Sequence, residues 1–367
     1  MNGFAAIFRK ELTQMIRDRA TLLFSLFVPV FELILFGVID MNAKNIPTIV
    51  LDQSRTQESR RLIEQFQATS YLKLTARAAS RAELEHAIVA GKAQVAIEIP
   101  PDFARNRVAG RNASVLVMID GSDSSIATSA LAAANGVVLQ EAIRDLIARS
   151  GTQPRIEARP VMMFNPDMRS ANLLIPGLIA ILLTFSGTIL SAFAIVKERE
   201  RGTLEQLMVT PVSPLAVVLG KILPYLGVAY ASLIIVLVLM RVLFRVPIYG
   251  SVTLLLSLSS VYILALLSFG LLISSRAKSQ MEAMQIAMGI MLPSVLLSGY
   301  IFPLPSLPAP LRAISYLLPA THFIKIARGI VIRGASFGDL WEPVLSLLAI
   351  STVLILLSAR AFKKTVS

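Results

Sequence analysis

Six runs of about twenty mainly apolar residues, the length a bilayer core demands of a helix, leave this 367-residue chain few ways to fold in water. They cover 20–39, 172–196, 215–240, 251–275, 282–301 and 344–361. A backbone crossing lipid must satisfy its own hydrogen bonds, so each run is predicted to be a transmembrane helix. Composition agrees with this. Only 16% of residues are charged, against about a quarter in soluble domains, 55% are hydrophobic, and mean hydropathy is +0.69. The net charge of +12 would suggest nucleic acid in a soluble chain. Here Lys and Arg gather at the ends of apolar runs, where anionic lipid attracts them, and no nucleic-acid partner is expected. The chain has no cysteine, which removes disulfides, thiol chemistry and Cys-based metal sites.

Between the second and third runs lies KERERGTLEQLMVTPVS, residues 197–213. Lys197, Glu198, Arg199, Glu200 and Arg201 are five consecutive charges, too costly for a bilayer centre, so they belong at the membrane surface. Thr203, Leu204, Leu207 and Met208 recur at a helical period, and Pro211 and Pro214 stop that helix before the next run begins. The pattern predicts a short amphipathic helix held between two spans, a shape suited to pushing on another protein. The plainer reading of the same residues is an anchor at headgroup level.

Upstream, residues 3–19 place Phe4, Ile7, Phe8, Leu12, Met15 and Ile16 on one side of a helix, with Arg9, Lys10, Arg17 and Arg19 elsewhere around it. This reads as an interfacial helix with its apolar face in the acyl boundary. A signal peptide fits less well, because the apolar run is long and no small-residue cleavage site follows Val38. The first span contains Glu32, an intramembrane carboxylate that either faces the bundle interior or a wet cavity, or pairs with another polar group for packing. From Lys44 to about Asp167 the composition is that of a water-soluble domain. The runs 47–52, 71–76, 93–100 and 114–120 read as strands, and 57–69, 80–90, 101–109 and 124–150 as helices, with a Ser80…Glu83 capping box. Alternating strand and helix favours a small α/β domain with one sheet. After the fifth span, residues 302–343 form a long, mildly apolar loop whose Pro303, Pro305, Pro308 and Pro310 favour broken helices over a continuous one.

Six spans put both termini on one side. Arg9, Lys10, Arg17, Arg19, Lys197, Arg199, Arg201, Arg276, Lys278, Lys363 and Lys364 all fall there, and the positive-inside rule makes that side the cytoplasm. The expected fold class is thus an α-helical membrane protein with six transmembrane helices, an amphipathic N-terminal interfacial helix (1–19) and a small α/β extracytoplasmic domain (40–171) between spans one (20–39) and two. Residues 172–367 hold the remaining spans. Chemistry is hard to find. GKAQ (91–94) and LGKIL (219–223) lack the glycine and Ser/Thr of a P-loop. His86 stands alone, and Asp120, Gly121 and Asp123 lack the later glutamate of a calcium loop. No catalytic or metal-ligating residue is nominated.

The Glu-Arg-Glu-Arg-Gly-Thr-Leu-Glu run at 198–205, followed by Thr210-Pro211 after the second span, resembles the coupling-helix signature of type 2 ABC exporter permeases. The order of interfacial helix, span, large external domain and five further spans resembles that family over essentially the whole chain. The resemblance implies a drug- or lipid-type exporter subunit whose segment 197–213 docks in a separate ABC ATPase subunit. Glu198, Arg199, Glu200, Arg201, Gly202, Thr203, Leu204, Glu205, Leu207 and Met208 would be the coupling residues. ATP and Mg would be bound by that partner and no cofactor by this chain. It also implies a second permease protomer, as a homodimer or heterodimer, a bacterial inner-membrane location, a partly re-entrant 302–343 loop, and a periplasmic adaptor on the external domain in double-membrane bacteria. Phe24, Glu32, Phe185, Met288 and Met291 offer a soft substrate path for hydrophobic or amphiphilic compounds, although such residues also serve as core or lipid-facing surface. Two other readings stay open. A membrane sensor would need a cytoplasmic signalling module, and a secondary transporter would show paired intramembrane charges or inverted repeats.

Overall fold

The computed structural model describes residues 3–38, 44–150, 163–165, 169–203 and 212–364. The chain divides into two compact units, one of Met1–Ile39 with Met163–Ser367, the other Asp40–Met162.

The first unit is helical. It comprises α1 (Gly3–Arg17) and α2 (Arg19–Val38), then α7 (Ser170–Glu200), α8 (Pro214–Val242), α9 (Val252–Arg276) and α10 (Gln280–Leu297). Two short helices follow, α11 (Ala309–Ser315) and α12 (Pro319–Arg333), and α13 (Trp341–Lys364) ends it. The apolar runs are helices as predicted. Pro29, Pro176, Pro224 and Pro293 sit inside α2, α7, α8 and α10, and each helix runs through its proline. Prolines are tolerated where neighbouring helices re-satisfy the freed carbonyl.

The centre of this unit is α7, which packs against α2, α8, α9, α10 and α12. Small residues permit that crowding. A Cβ at Gly270 of α9 would lie 2.0 Å from Ser191 Oγ and 2.4 Å from the Thr188 carbonyl of α7, so only glycine allows this approach. Tyr262 of α9 donates to the Ala180 carbonyl at 2.9 Å, lies 2.6 Å from Thr184 Oγ1, and stacks on Phe323 of α12 with ring centroids 4.2 Å apart. Its hydroxyl is thereby satisfied in a fully buried place.

The 302–343 segment differs from a mildly apolar loop. Its prolines do break it: Pro303, Pro305 and Pro308 precede or begin short turns, and Pro310 lies in the first turn of α11. Yet α12 buries Phe323, Ile324, Ile326, Ala327, Ile330 and Val331 against α7, α9 and α13. Arg328 enters this core by donating to the carbonyls of Gly299 (3.2 Å) and Tyr300 (3.3 Å), which an arginine fork does well.

The second unit holds a four-stranded sheet of β1 (Ile46–Asp52), β2 (Leu72–Arg77), β3 (Val95–Ile99) and β4 (Leu116–Ile119) in the order β2-β1-β3-β4. The first two pairings are parallel and β3–β4 is antiparallel. Helices α3 (Gln57–Ala68), α4 (Arg81–Val89), α5 (Phe103–Val108) and α6 (Ser124–Ser150) cover it. The strands alternate as their period of two requires: Val50, Val95, Ile97 and Ile99 pack with Leu62, Phe66, Phe103 and Ala134, while Ile49, Leu51 and Ala96 pack with Leu84 and Ala87 of α4. The β1–β2 and β2–β3 crossovers run in opposite directions across the sheet, so right-handed connections put α3 and α4 on opposite faces. Ser80 caps α4 by accepting from the Glu83 amide, but the Glu83 carboxylate accepts from the Ala79 amide rather than that of Ser80, so half of the expected capping box forms.

Among the described residues seven helices are long and apolar enough to cross a membrane, one more than expected. The extra one is Ser125–Asp145 within α6. Its stripe of Ala130, Ala133, Ala134, Val137 and Glu141 is buried in the α/β unit, and Arg107 of α5 holds Glu141 and, at 2.7 Å, Asp145. That is the behaviour of a domain helix with an Ala-rich packing face.

Candidate coupling site

The charge run does not begin a new helix. Lys197, Glu198, Arg199 and Glu200 form the last turn of α7, which therefore extends four residues beyond the predicted span. Arg201 caps it and Gly202 follows at φ +69, the left-handed conformation that costs glycine least. The Gly202 amide donates to the Arg199 carbonyl (3.1 Å) and the Thr203 amide to that of Glu198 (3.0 Å), the paired bonds of a Schellman stop. Gly202 is thus a helix terminator, a correction to its expected place inside a coupling helix. Ser213 reopens the chain as the N-cap of α8, accepting from the Ala216 amide. Leu204, Glu205, Leu207 and Met208 lie outside the described residues.

Each flank of this segment is fastened. Glu198, only 5% exposed, pairs with Lys10 of α1 and, at 2.9 Å, with Lys221 of α8. Lys221, 1% exposed, also holds Glu11 of α1 at 2.7 Å. Two carboxylates and two ammonium groups thus tie three helices together, and burial is tolerable because every charge has an opposite one in contact. Lys197 donates to Asp18 at 2.6 Å, and this hydrogen bond holds the Asp18 carboxyl below the usual carboxylate range. Arg199 donates to the carbonyls of Ser275 (3.0 Å) and Ala277, where α9 ends. Glu200 accepts from the amide of Gln280 (2.8 Å), where α10 begins. Arg201 is exposed and Thr203 half-buried.

Sequence reasoning missed Lys10, Glu11, Asp18 and Lys221 as members of this site. Lys221 carried a signal, since a lysine inside an otherwise apolar span is rare and usually paired or functional. The GKIL motif around it lies inside α8, and its lysine is spent on the two carboxylates.

The nominated path residues do not form one surface. Phe185 and Met291 pack into a single cluster between α7 and α10. Phe24 and Met288 are 64% and 50% exposed on α2 and α10. Glu32 is half-buried on α2.

Apolar spanning helices, with a charged turn locked between two of them, define a multi-pass membrane protein. A family model described as ABC-2 family transporter protein matches residues 19–360, and the chain belongs to that family. It is 30% identical over 329 residues to the probable multidrug ABC transporter permease YbhS of Escherichia coli K12, covering 89% of this chain and 87% of that one. With the probable multidrug ABC transporter permease YbhR of the same strain it shares 29% over 355 residues, 94% of each. With its inner membrane transport permease YhhJ it shares 28% over 364 residues, 97% of this chain and 96% of the other. This chain is accordingly the membrane subunit of an ABC transporter, and membership of the family implies an ABC ATPase partner.

Proposed function

We propose that the chain is an exporter permease that turns ATP hydrolysis on a separate ABC ATPase into outward movement of hydrophobic or amphiphilic compounds across a bacterial inner membrane. The observation that carries this reading is the fastening of the 204–211 segment's flanks. An ATPase pushing on it would act through α7 and α8 without slack, because Glu198, Lys221, Lys10 and Glu11 join those helices to α1. In this scheme α2, α7, α8, α9, α10 and α13 are the six spans, both termini are cytoplasmic, and residues 40–162 are external. Part of 302–343 is re-entrant.

Residues 204–211 dock in the ATPase, with Leu204, Leu207 and Met208 in its cleft and Thr203 and Glu205 as polar contacts. ATP and Mg stay on that subunit. Glu198, Arg199 and Glu200 act as the brace behind the docked segment. Two permease protomers form the path, lined in part by Phe24, Glu32 and Met288 from outward-facing surfaces. An adaptor contacts the external unit. Export of drug-like compounds is supported by the names of the two multidrug relatives. The test is purification of the tagged chain from native membranes, with identification of co-purifying subunits and an ATPase assay, alongside Glu205→Arg. An ATPase that accompanies the native chain and is lost or uncoupled in the variant is expected. Absence of any ATPase from the native preparation would refute the reading.

A further inference from the structure

A cavity of about 880 Å³ opens beside the fastened turn, between α1, the end of α7, Tyr225 of α8 and Gln280 of α10. It is large enough for an organic ligand. Its two halves differ in chemistry. Ile7, Met15, Leu22, Leu190 and Phe193 give an apolar wall, whereas the other side is charged.

The charges do not cancel. Of the three carboxylates on the lining, Glu198 is matched by Lys10 and Lys221, Glu11 by Lys221, and Asp18 by Lys197. Arg17 and Arg201, both exposed on the lining, have no carboxylate partner among the described residues. Two guanidinium groups are therefore left over beside an apolar wall. Arg17 also lies in the last turn of α1, where a cation is favoured by the helix dipole, but that contribution needs no cavity and does not involve Arg201.

We propose that this cavity binds an anionic phospholipid of the leaflet on the coupling side, its phosphate held by Arg17 and Arg201 and its proximal acyl chain against Met15, Leu22 and Phe193. Guanidinium forks suit phosphate oxygens, and basic pockets between membrane helices hold lipid headgroups. A free phosphate would leave the apolar wall in water, and a cationic amphiphile would meet the surplus positive charge. An occupied cavity would brace α1 against the end of α7, so lipid would stiffen the same joint that the buried ion pairs hold. The leaflet assignment rests on the topology proposed above, whereas the site itself does not.

The chain is purified in mild detergent with whatever subunits accompany it, and lipid retention is measured by native mass spectrometry against phosphatidylglycerol and phosphatidylcholine. The wild type is expected to retain phosphatidylglycerol preferentially. Arg17→Gln and Arg201→Gln should each weaken that binding about five-fold, and the pair about 25-fold, from the usual contribution of one cation near an anionic headgroup. The charge-matched variant Arg60→Gln/Arg111→Gln, on exposed positions of the α/β unit, should retain the preference. Equal retention of both lipids by the wild type, or equal loss in both double variants, would overturn the site. Displacement of phosphatidylglycerol by inorganic phosphate at matched concentration would overturn the lipid assignment. Because the readout is lipid mass, absence of an ATPase from the preparation would count against the transport reading and leave this result standing.

Discussion

Lys221→Met is the sharpest single perturbation of the buried network. The substitution keeps an unbranched apolar stem inside α8 and deletes only the ammonium group. That group is 2.7 Å from Glu11 and 2.9 Å from Glu198, and all three side chains are almost wholly buried. Glu198 keeps Lys10, but Glu11 loses its ammonium partner while remaining in a low-dielectric place. Removing one member of a buried pair costs about 3–5 kcal/mol, most of it from the stranded charge. A fall in Tm on the order of 10 °C is expected for the first unit. Adding Glu11→Gln removes the stranded charge, so the double variant should recover more than half of the loss. Groups in contact are expected to be non-additive in this way. The assay is thermal unfolding of the purified chain in one detergent at one pH, followed for wild type, both single variants and the double. If Lys221→Met melts within about 2 °C of wild type, a shift that corresponds to under about 1 kcal/mol, then water or another group compensates Glu11 and the brace does not exist.

The other predictions probe different joints. Gly270→Ala should force α7 and α9 apart, because its Cβ would meet Ser191 Oγ and the Thr188 carbonyl, and should cost about 1–3 kcal/mol or more in thermal unfolding. Among the described residues Gly202→Ala meets no atom within 4 Å, so its left-handed backbone is what is penalised; a loss of about 1 kcal/mol is expected, with Gly202→Asn milder. The Asp18–Lys197 pair is partly exposed, and Asp18→Asn should cost about 0.2–1 kcal/mol. Because the folded carboxyl is held below its ordinary value of 3.8, that difference from wild type should be constant at neutral pH and disappear as pH falls through the lowered value. An undiminished difference at pH 2 would show that the pair is not its origin.

The spans and the sheet were legible because both rest on local pattern. A twenty-residue apolar run needs no partner to declare itself, and the strands alternate or are bounded by Pro, Gly and Asp. The end of α7 was not legible. A charge run looks like a boundary, yet Lys197 to Glu200 stay helical because each finds a partner on another element. Those partners are far away in sequence: Lys10 and Glu198 are 188 positions apart, Glu11 and Lys221 are 210. No window-based pattern connects them. The α12 helix was hidden for a related reason, since Lys325, Arg328 and Arg333 make its sequence resemble a surface loop. The structure buries it by giving Arg328 the carbonyls of Gly299 and Tyr300. Glu32 was legible as an oddity, and if its carboxylate selects cationic compounds, Glu32→Gln should lower their export in a transport assay.

In the proposed coupling, residues 204–211 face an ATPase on the side where both termini lie. The chain contains no cysteine, so single cysteines can be placed without background. Leu207→Cys and, on the exposed surface of the α/β unit, Lys92→Cys would be treated with a short thiol-to-amine cross-linker in membranes holding the whole complex. Cross-linking of position 207 to an ATPase subunit, with none from position 92, is the predicted result. An ATPase captured from position 92 and not from 207 would place the α/β unit on the cytoplasmic side and contradict the account.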